Sequence, residues 1–192
     1  MIDKYPLKKY PIVGACGLNC GLCPRYHTDG PSRCPGCCGP GFWQKHPSCG
    51  FITCCVKQGN LETCALCADW EKCERVIKNL DASKGHDSFI SYRPLAENFA
   101  FIRKNGIEEF ARRESEKQAF LRHLIANYDN GRSKIFYCLS CQLLPLDNLK
   151  KALASAEAAV AKTADIKEKA ATVRVAITAL ADEMKIDLRL RK

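Results

Sequence analysis

Several features missing from this sequence narrow it before any that are present. No apolar run approaches the ~20 residues needed to span a bilayer. The opening MIDKYPLKKYPIVGACG carries charges and two prolines where a secretion signal would have an apolar stretch and a small-residue cleavage site. The expectation is a cytoplasmic protein with no membrane association. A glycine-rich phosphate loop and an HExxH motif are both absent, and the four histidines are scattered at 27, 46, 86 and 123. No Ser-His-Asp set follows from spacing, so the sequence names no reaction, and a structural role is expected over catalysis.

Cysteine is what the chain has in excess. Of its 14 cysteines, 12 fall within the 58 residues from Cys16 to Cys73. Such density is sustained either by disulfides in a secreted scaffold or by metal in a reducing compartment. With a cytoplasmic location expected, metal is the preferred reading. The cysteines also inflate the hydrophobic content of 46%, so the first third is expected to have a thin apolar core and to depend on metal staples.

The net charge is +9, shared as +4, +1 and +4 over residues 1–80, 81–147 and 148–192. A nucleic-acid binder concentrates its charge in a patch. Here basic and acidic residues interleave, and thiolates at a metal would cancel much of the excess. Nucleic acid is a possible partner but not the favoured one.

Along the chain, residues 1–15 read as extended because Pro6 and Pro11 oppose helix. From 16 to 67, alternating prolines and glycines predict turns with little regular structure. The segment 68–80 reads as a helix with Trp70, Cys73, Val76, Ile77 and Leu80 on one face, capped by Asp69, so that Cys73 sits one turn inside it. Further helices are expected from Pro94 to Asn105 and over about 107–128. The run SKIFYCLSCQLLPL, with Cys138 and Cys141, reads as a short strand or buried turn. Beyond it, Leu146, Leu149, Leu153, Ala156 and Val160 form one helical seam, and Ile166, Ala170, Val173, Ile177, Leu180 and Met184 form a second, out of phase with the first. Two antiparallel helices turning near Lys162-Thr163-Ala164 are preferred to one long bent helix. The fold class expected is mainly α, an irregular metal-stapled N-terminal region packed on a helical C-terminal part. Its parts are 1–80, 81–145 with two helices and a Cys-x2-Cys turn, and 146–192.

Four C-x2-C pairs carry the chemistry: Cys20/Cys23, Cys34/Cys37, Cys64/Cys67 and Cys138/Cys141. One tight turn aims both thiolates at a single ion, and two such turns make a closed tetrahedral zinc site. The ten ligands expected are Cys16, Cys20, Cys23, Cys34, Cys37, Cys49, Cys54, Cys64, Cys67 and Cys73. In the vicinal pairs Cys37-Cys38 and Cys54-Cys55, adjacent side chains should point apart, so one member of each ligates. Cys38, Cys55, His27 or His46 can complete a further site. Cys138 and Cys141 read as buried thiols. Thiolates serve both zinc and iron–sulfur clusters. Two or three Zn2+ ions are favoured, with [4Fe–4S] clusters as the alternative, supported by the ferredoxin-like Cys23-Pro24. Removing the metal is expected to unfold residues 16–73.

These residues also carry a resemblance. Cys16-Gly17-Leu18-Asn19-Cys20-Gly21-Leu22-Cys23-Pro24, then Cys34-x-Gly36-Cys37, Cys49-x4-Cys54 and Cys64-x2-Cys67-x5-Cys73, resemble the cysteine-rich prokaryotic family known as domain of unknown function 3795. The pattern covers roughly residues 14 to 80. Gly131-Arg132-Ser133-Lys134 and the stretch from Tyr137-Cys138 to Leu144-Pro145 resemble the downstream part of its longer members. The resemblance implies a small metal-binding protein, frequent in anaerobes and without an established activity. Cys38 and Cys55 are additions to its pattern. The expected function is therefore a metal-binding interaction module, with an iron–sulfur electron-transfer or accessory redox protein as the alternative. A protein partner or self-association would use the C-terminal helices.

Overall fold

Helix takes over where the prolines and cysteines thin out. The computed structural model describes residues 5–46, 49–160 and 165–191. Its α-helices are α1 (Glu74–Ala82), α2 (Leu95–Asn105), α3 (Ile107–Tyr128), α4 (Lys134–Leu143), α5 (Leu146–Ala159) and α6 (Ile166–Glu183). No strand occurs among the described residues, so the chain is mainly α. Before α1 the backbone passes through single 3₁₀ turns at Cys20–Leu22, Phe42–Gln44, Cys64–Leu66 and Trp70–Lys72. Between them lies a seven-residue π-helix, Ile52–Gln58, whose wider ring is closed by Gly59 N–H donating to the Cys54 carbonyl at 2.9 Å. Such π turns are rare and favour functional positions.

Four predicted helices stand close to their expected bounds, and two segments differ. The helix predicted over 68–80 starts later. Trp70–Lys72 is a 3₁₀ turn, Cys73 is the extended N-cap of α1 rather than a residue one turn inside it, and Asp69 makes no capping hydrogen bond through its side chain. The break lets the Trp70 ring lie against Phe99, centroids 5.8 Å apart. The run predicted as a strand or Cys-x2-Cys turn is α4, and Cys138 and Cys141 share one face of it. Every residue from Phe136 to Gln142 is buried, so no polar face betrays the helical period.

Asp165 restarts the backbone as the N-cap of α6, its carboxylate accepting from Lys167 N–H at 2.9 Å. Together with the non-helical Val160, this makes α5 and α6 separate helices packed on each other. The turn expected at Lys162-Thr163-Ala164 lies outside the described residues. Leu149, Leu153, Ala156, Val173 and Ile177 of the two seams are buried within the chain in one cluster with Leu121 and Leu124 of α3 and Tyr137 of α4.

The expectation of a thin core in the first third needs correction. Val13, Ala15, Leu18, Phe42, Ile52, Val56 and Ala65 form one cluster with Leu95, Phe99, Ile102 and Phe110 from α2 and α3, and Leu22 enters the second cluster. Each large apolar side chain buried this way contributes on the order of 1.5–3 kcal/mol. The cysteine-rich region borrows its core from the helices. The carboxyl-terminal segment is latched as well: Arg191 donates from its guanidinium and its backbone N–H to the fully buried Asp87 carboxylate, at 2.8–3.0 Å. No helix among the described residues is long and apolar enough to cross a membrane.

Candidate metal centre

The first cysteine loop is held from behind by polar side chains of the helices. Asn98 of α2 donates to the Gly17 carbonyl at 2.9 Å and also to the Asn19 side chain, which in turn donates to the buried Glu114 carboxylate of α3. Gln118 of α3 donates to the Gly21 carbonyl at 3.2 Å, and Gln142 of α4 to the Leu22 carbonyl at 3.0 Å. Buried polar groups need partners, and these amides supply them where the loop's own turn hydrogen bonds leave the Gly17, Gly21 and Leu22 carbonyls to be satisfied. The second knuckle is fixed differently. Cys37 N–H donates to the Pro11 carbonyl at 2.7 Å, and Gly36 has φ +86° where a Cβ would collide with that same carbonyl. Only glycine fits there.

Held this way, Cys16, Cys20, Cys23, Cys34, Cys37 and Cys49 line a single cavity of about 520 Å³. His46 joins them, its Nε2 3.4 Å from the Cys34 sulfur, with its ring stacked on Phe42 at 4.3 Å. Ile52, Phe89, Ile90 and Tyr92 complete a largely apolar wall, and Arg25 stands at it with its guanidinium 5.5 Å from the Phe89 ring. The C-x2-C pairs Cys20/Cys23 and Cys34/Cys37 thus share one space.

A second pair of thiols lies apart from the cavity: Cys55 of the π-helix and Cys64 of the third 3₁₀ turn come within hydrogen-bonding reach of each other. Residue Ala15 ties the two groups: its carbonyl accepts from Cys64 N–H at 2.8 Å, and its N–H donates to the Cys37 sulfur at 3.2 Å. Cys54, predicted as the ligand of its pair, is exposed, and its neighbour Cys55 is buried. Cys67 is half-buried and, like Cys54, does not line the cavity. The His27 ring nitrogen Nε2 lies 2.8 Å from the Gly21 carbonyl, away from the thiols. Cys138 and Cys141 are buried in the α4 core. Among the described residues no three Cys, His, Asp or Glu side chains close on one point as a mononuclear site would require.

Charge around the cavity follows from burial and from one lysine. Burial pushes the Cys16 thiol up to about 12, reinforced by Cys37, and raises Cys20 in the same way. Cys37 moves down to about 6: the Cys38 thiol stabilises its thiolate against burial, helped by Lys8 and the Ala15 N–H, while Cys38 is raised in return. The expectation that adjacent cysteines point apart fails here because Cys38 has a left-handed backbone, φ +55°, which turns its thiol toward Cys37. Sequence reasoning missed Lys8. It is buried, its ammonium donates to the Val13 carbonyl, and its backbone N–H donates to the Cys38 carbonyl at 3.2 Å. A buried ammonium among thiols is a fixed counter-charge for thiolates. Nothing in the residue pattern around Lys8 sets it apart from the neighbouring Lys9, which pairs with Glu108 on the surface.

Compared with known proteins, the chain matches no family model, no curated protein and no solved structure.

Proposed function

We propose that the chain is a cysteine-ligated metalloprotein whose main centre is an iron–sulfur cluster held by thiolates drawn from Cys16, Cys20, Cys23, Cys34, Cys37 and Cys49. Its role in this reading is electron transfer or accessory redox work in a reducing, cytoplasmic compartment. One observation carries it: six thiols ring a roomy, mostly apolar cavity rather than meeting at a point. Zinc draws four donors to about 2.3 Å from one centre, whereas a cluster is a larger body that needs its thiolates spread around it. None of the 14 cysteines is in a disulfide, which leaves the six around the cavity free to act as ligands. When bound, such a group supplies one-electron chemistry. The chain's own residues supply ligands, an apolar wall that limits water, and the Lys8 charge. The resemblance to domain of unknown function 3795 rests on these same cysteines and belongs with this reading.

Purification without oxygen, followed by metal and sulfide analysis and a visible spectrum, tests the proposal. The expected result is a brown protein with iron and acid-labile sulfide that bleaches with dithionite. A colourless preparation holding zinc alone would overturn it. Lys8 offers a finer check. A buried positive charge favours the more negative, reduced state of a nearby cluster, so Lys8→Met should move the reduction potential to a more negative value in a dithionite titration. A potential identical to that of the unaltered protein would remove the counter-charge role.

A further inference from the structure

A second cavity, of about 530 Å³, lies where the loop between Cys23 and Cys34 meets α3 and the start of α4. Its walls include Tyr26, His27, Arg33, Arg122 and Lys134. Its volume falls within the roughly 300–1,000 Å³ of small-molecule pockets. The cations come from three separate segments, and among the described residues none of them makes an ion pair. Arg122 is oriented by one bond to the Gln118 side-chain oxygen at 2.8 Å, and Arg33 by one bond to the Tyr26 carbonyl at 3.1 Å. Each guanidinium keeps further N–H donors for a ligand. Of the two carboxylates on the rim, Asp29 and Asp129, the second is already occupied, its Oδ1 accepting from Gly131 and Ser133 N–H at 3.0 and 2.9 Å. After burial and the opposing Gly21 carbonyl, Arg122, Arg33 and Lys134 all act to push the His27 pKa down, so their fields converge on this space. The Tyr26 ring lies under the Arg33 guanidinium, 5.4 Å from its centroid, and gives the cavity one flat apolar wall.

We propose that this cavity binds the phosphate group of a small phosphorylated metabolite, gripped by Arg33, Arg122 and Lys134, with the Tyr26 ring against its organic part. Convergent, unpaired guanidinium and ammonium groups match a phosphate in charge and geometry, and the three cations outnumber the two rim carboxylates, Asp29 and Asp129. The site stands on its own residues, whatever fills the cysteine cavity.

Titration calorimetry of the full chain with inorganic phosphate, AMP and adenosine at low salt tests this. Phosphate and AMP should bind, with adenosine at least about tenfold weaker, since it lacks the charged group that the guanidinium and ammonium donors grip. Arg122→Gln and Lys134→Gln should each weaken AMP about tenfold, and Arg122→Lys should retain part of the affinity, with metal content and circular dichroism unchanged. Equal binding of AMP and adenosine, or undiminished affinity in the Arg122→Gln, Lys134→Gln double variant, would overturn the proposal. So would silence toward all three ligands at millimolar concentration, or much tighter binding of a short single-stranded RNA than of AMP, which would make the face a nucleic-acid surface.

Discussion

Cys20→Ser should empty the cysteine cavity of most of the metal proposed for it, and Cys54→Ser should leave the metal content as it is. Cys20 opens the first 3₁₀ turn and lies between Cys16 and Cys37 on the cavity wall. A serine oxygen there is a poor donor for metals that select soft thiolates. Cys54 sits on the outer side of the π-helix, exposed to solvent. Iron per chain and the visible absorption of anaerobically purified variants read the outcome directly. Equal losses from both variants would sink the assignment of ligands, because they would place the exposed thiol in the centre.

Breaking the Asp87 latch costs the fold about 3–5 kcal/mol, the range for removing one partner of a buried ion pair. The Asp87 carboxylate is fully buried and takes five hydrogen bonds, from Ser91, Tyr92 N–H and Arg191, at 2.7–3.1 Å. Asp87→Ala removes the acceptor of all five bonds and leaves the segment around Arg191 held by the Arg191 bonds to the Ser83 and Lys84 carbonyls and by its backbone bond to residue 87. At 192 residues a loss of that size lowers the melting temperature by on the order of 10 °C. Arg191→Ala should cost a similar amount, and the double variant little more, because the two act as one unit. The pH dependence has a definite sign. Burial raises the Asp87 pKa, but the Arg191 guanidinium and the surrounding N–H groups overcome it and hold the carboxyl far below its ordinary range. The stabilisation is therefore complete above the unfolded value of about 3.9 and is lost progressively as pH falls below it. Melting curves at neutral pH should separate Asp87→Ala from the parent widely, and the gap should close in acid. A variant that melts within about 2 °C of the parent at neutral pH would refute the latch.

Periodicity exposed the helices that keep a polar face. Leu95, Phe99 and Ile102 mark α2, and the seams of α5 and α6 alternate with lysine and glutamate, so spacing alone located them. Helix α4 was illegible for the opposite reason: with Phe136 to Gln142 all buried, no polar side remains to mark a period. The site divides along similar lines. Spacing marked Cys20/Cys23 and Cys34/Cys37 as paired thiols on tight turns, since that geometry is local. It could not show that the two pairs share a space, nor that the π-helix leaves Cys54 exposed and buries Cys55. Lys8, Asn98, Gln118 and Gln142 left no trace either. A buried polar residue on a helix is written like an exposed one, and its role depends on a loop that lies tens of residues away in the chain.

That grip ties the first loop to the helical part. Asn98, Gln118 and Gln142 satisfy the carbonyls of Gly17, Gly21 and Leu22, and apolar neighbours from α2 and α3 cover the loop's other side. A substitution on the inner face of α2, α3 or α4, tens of residues from any cysteine of the loop, therefore reaches the thiols through the backbone that carries them.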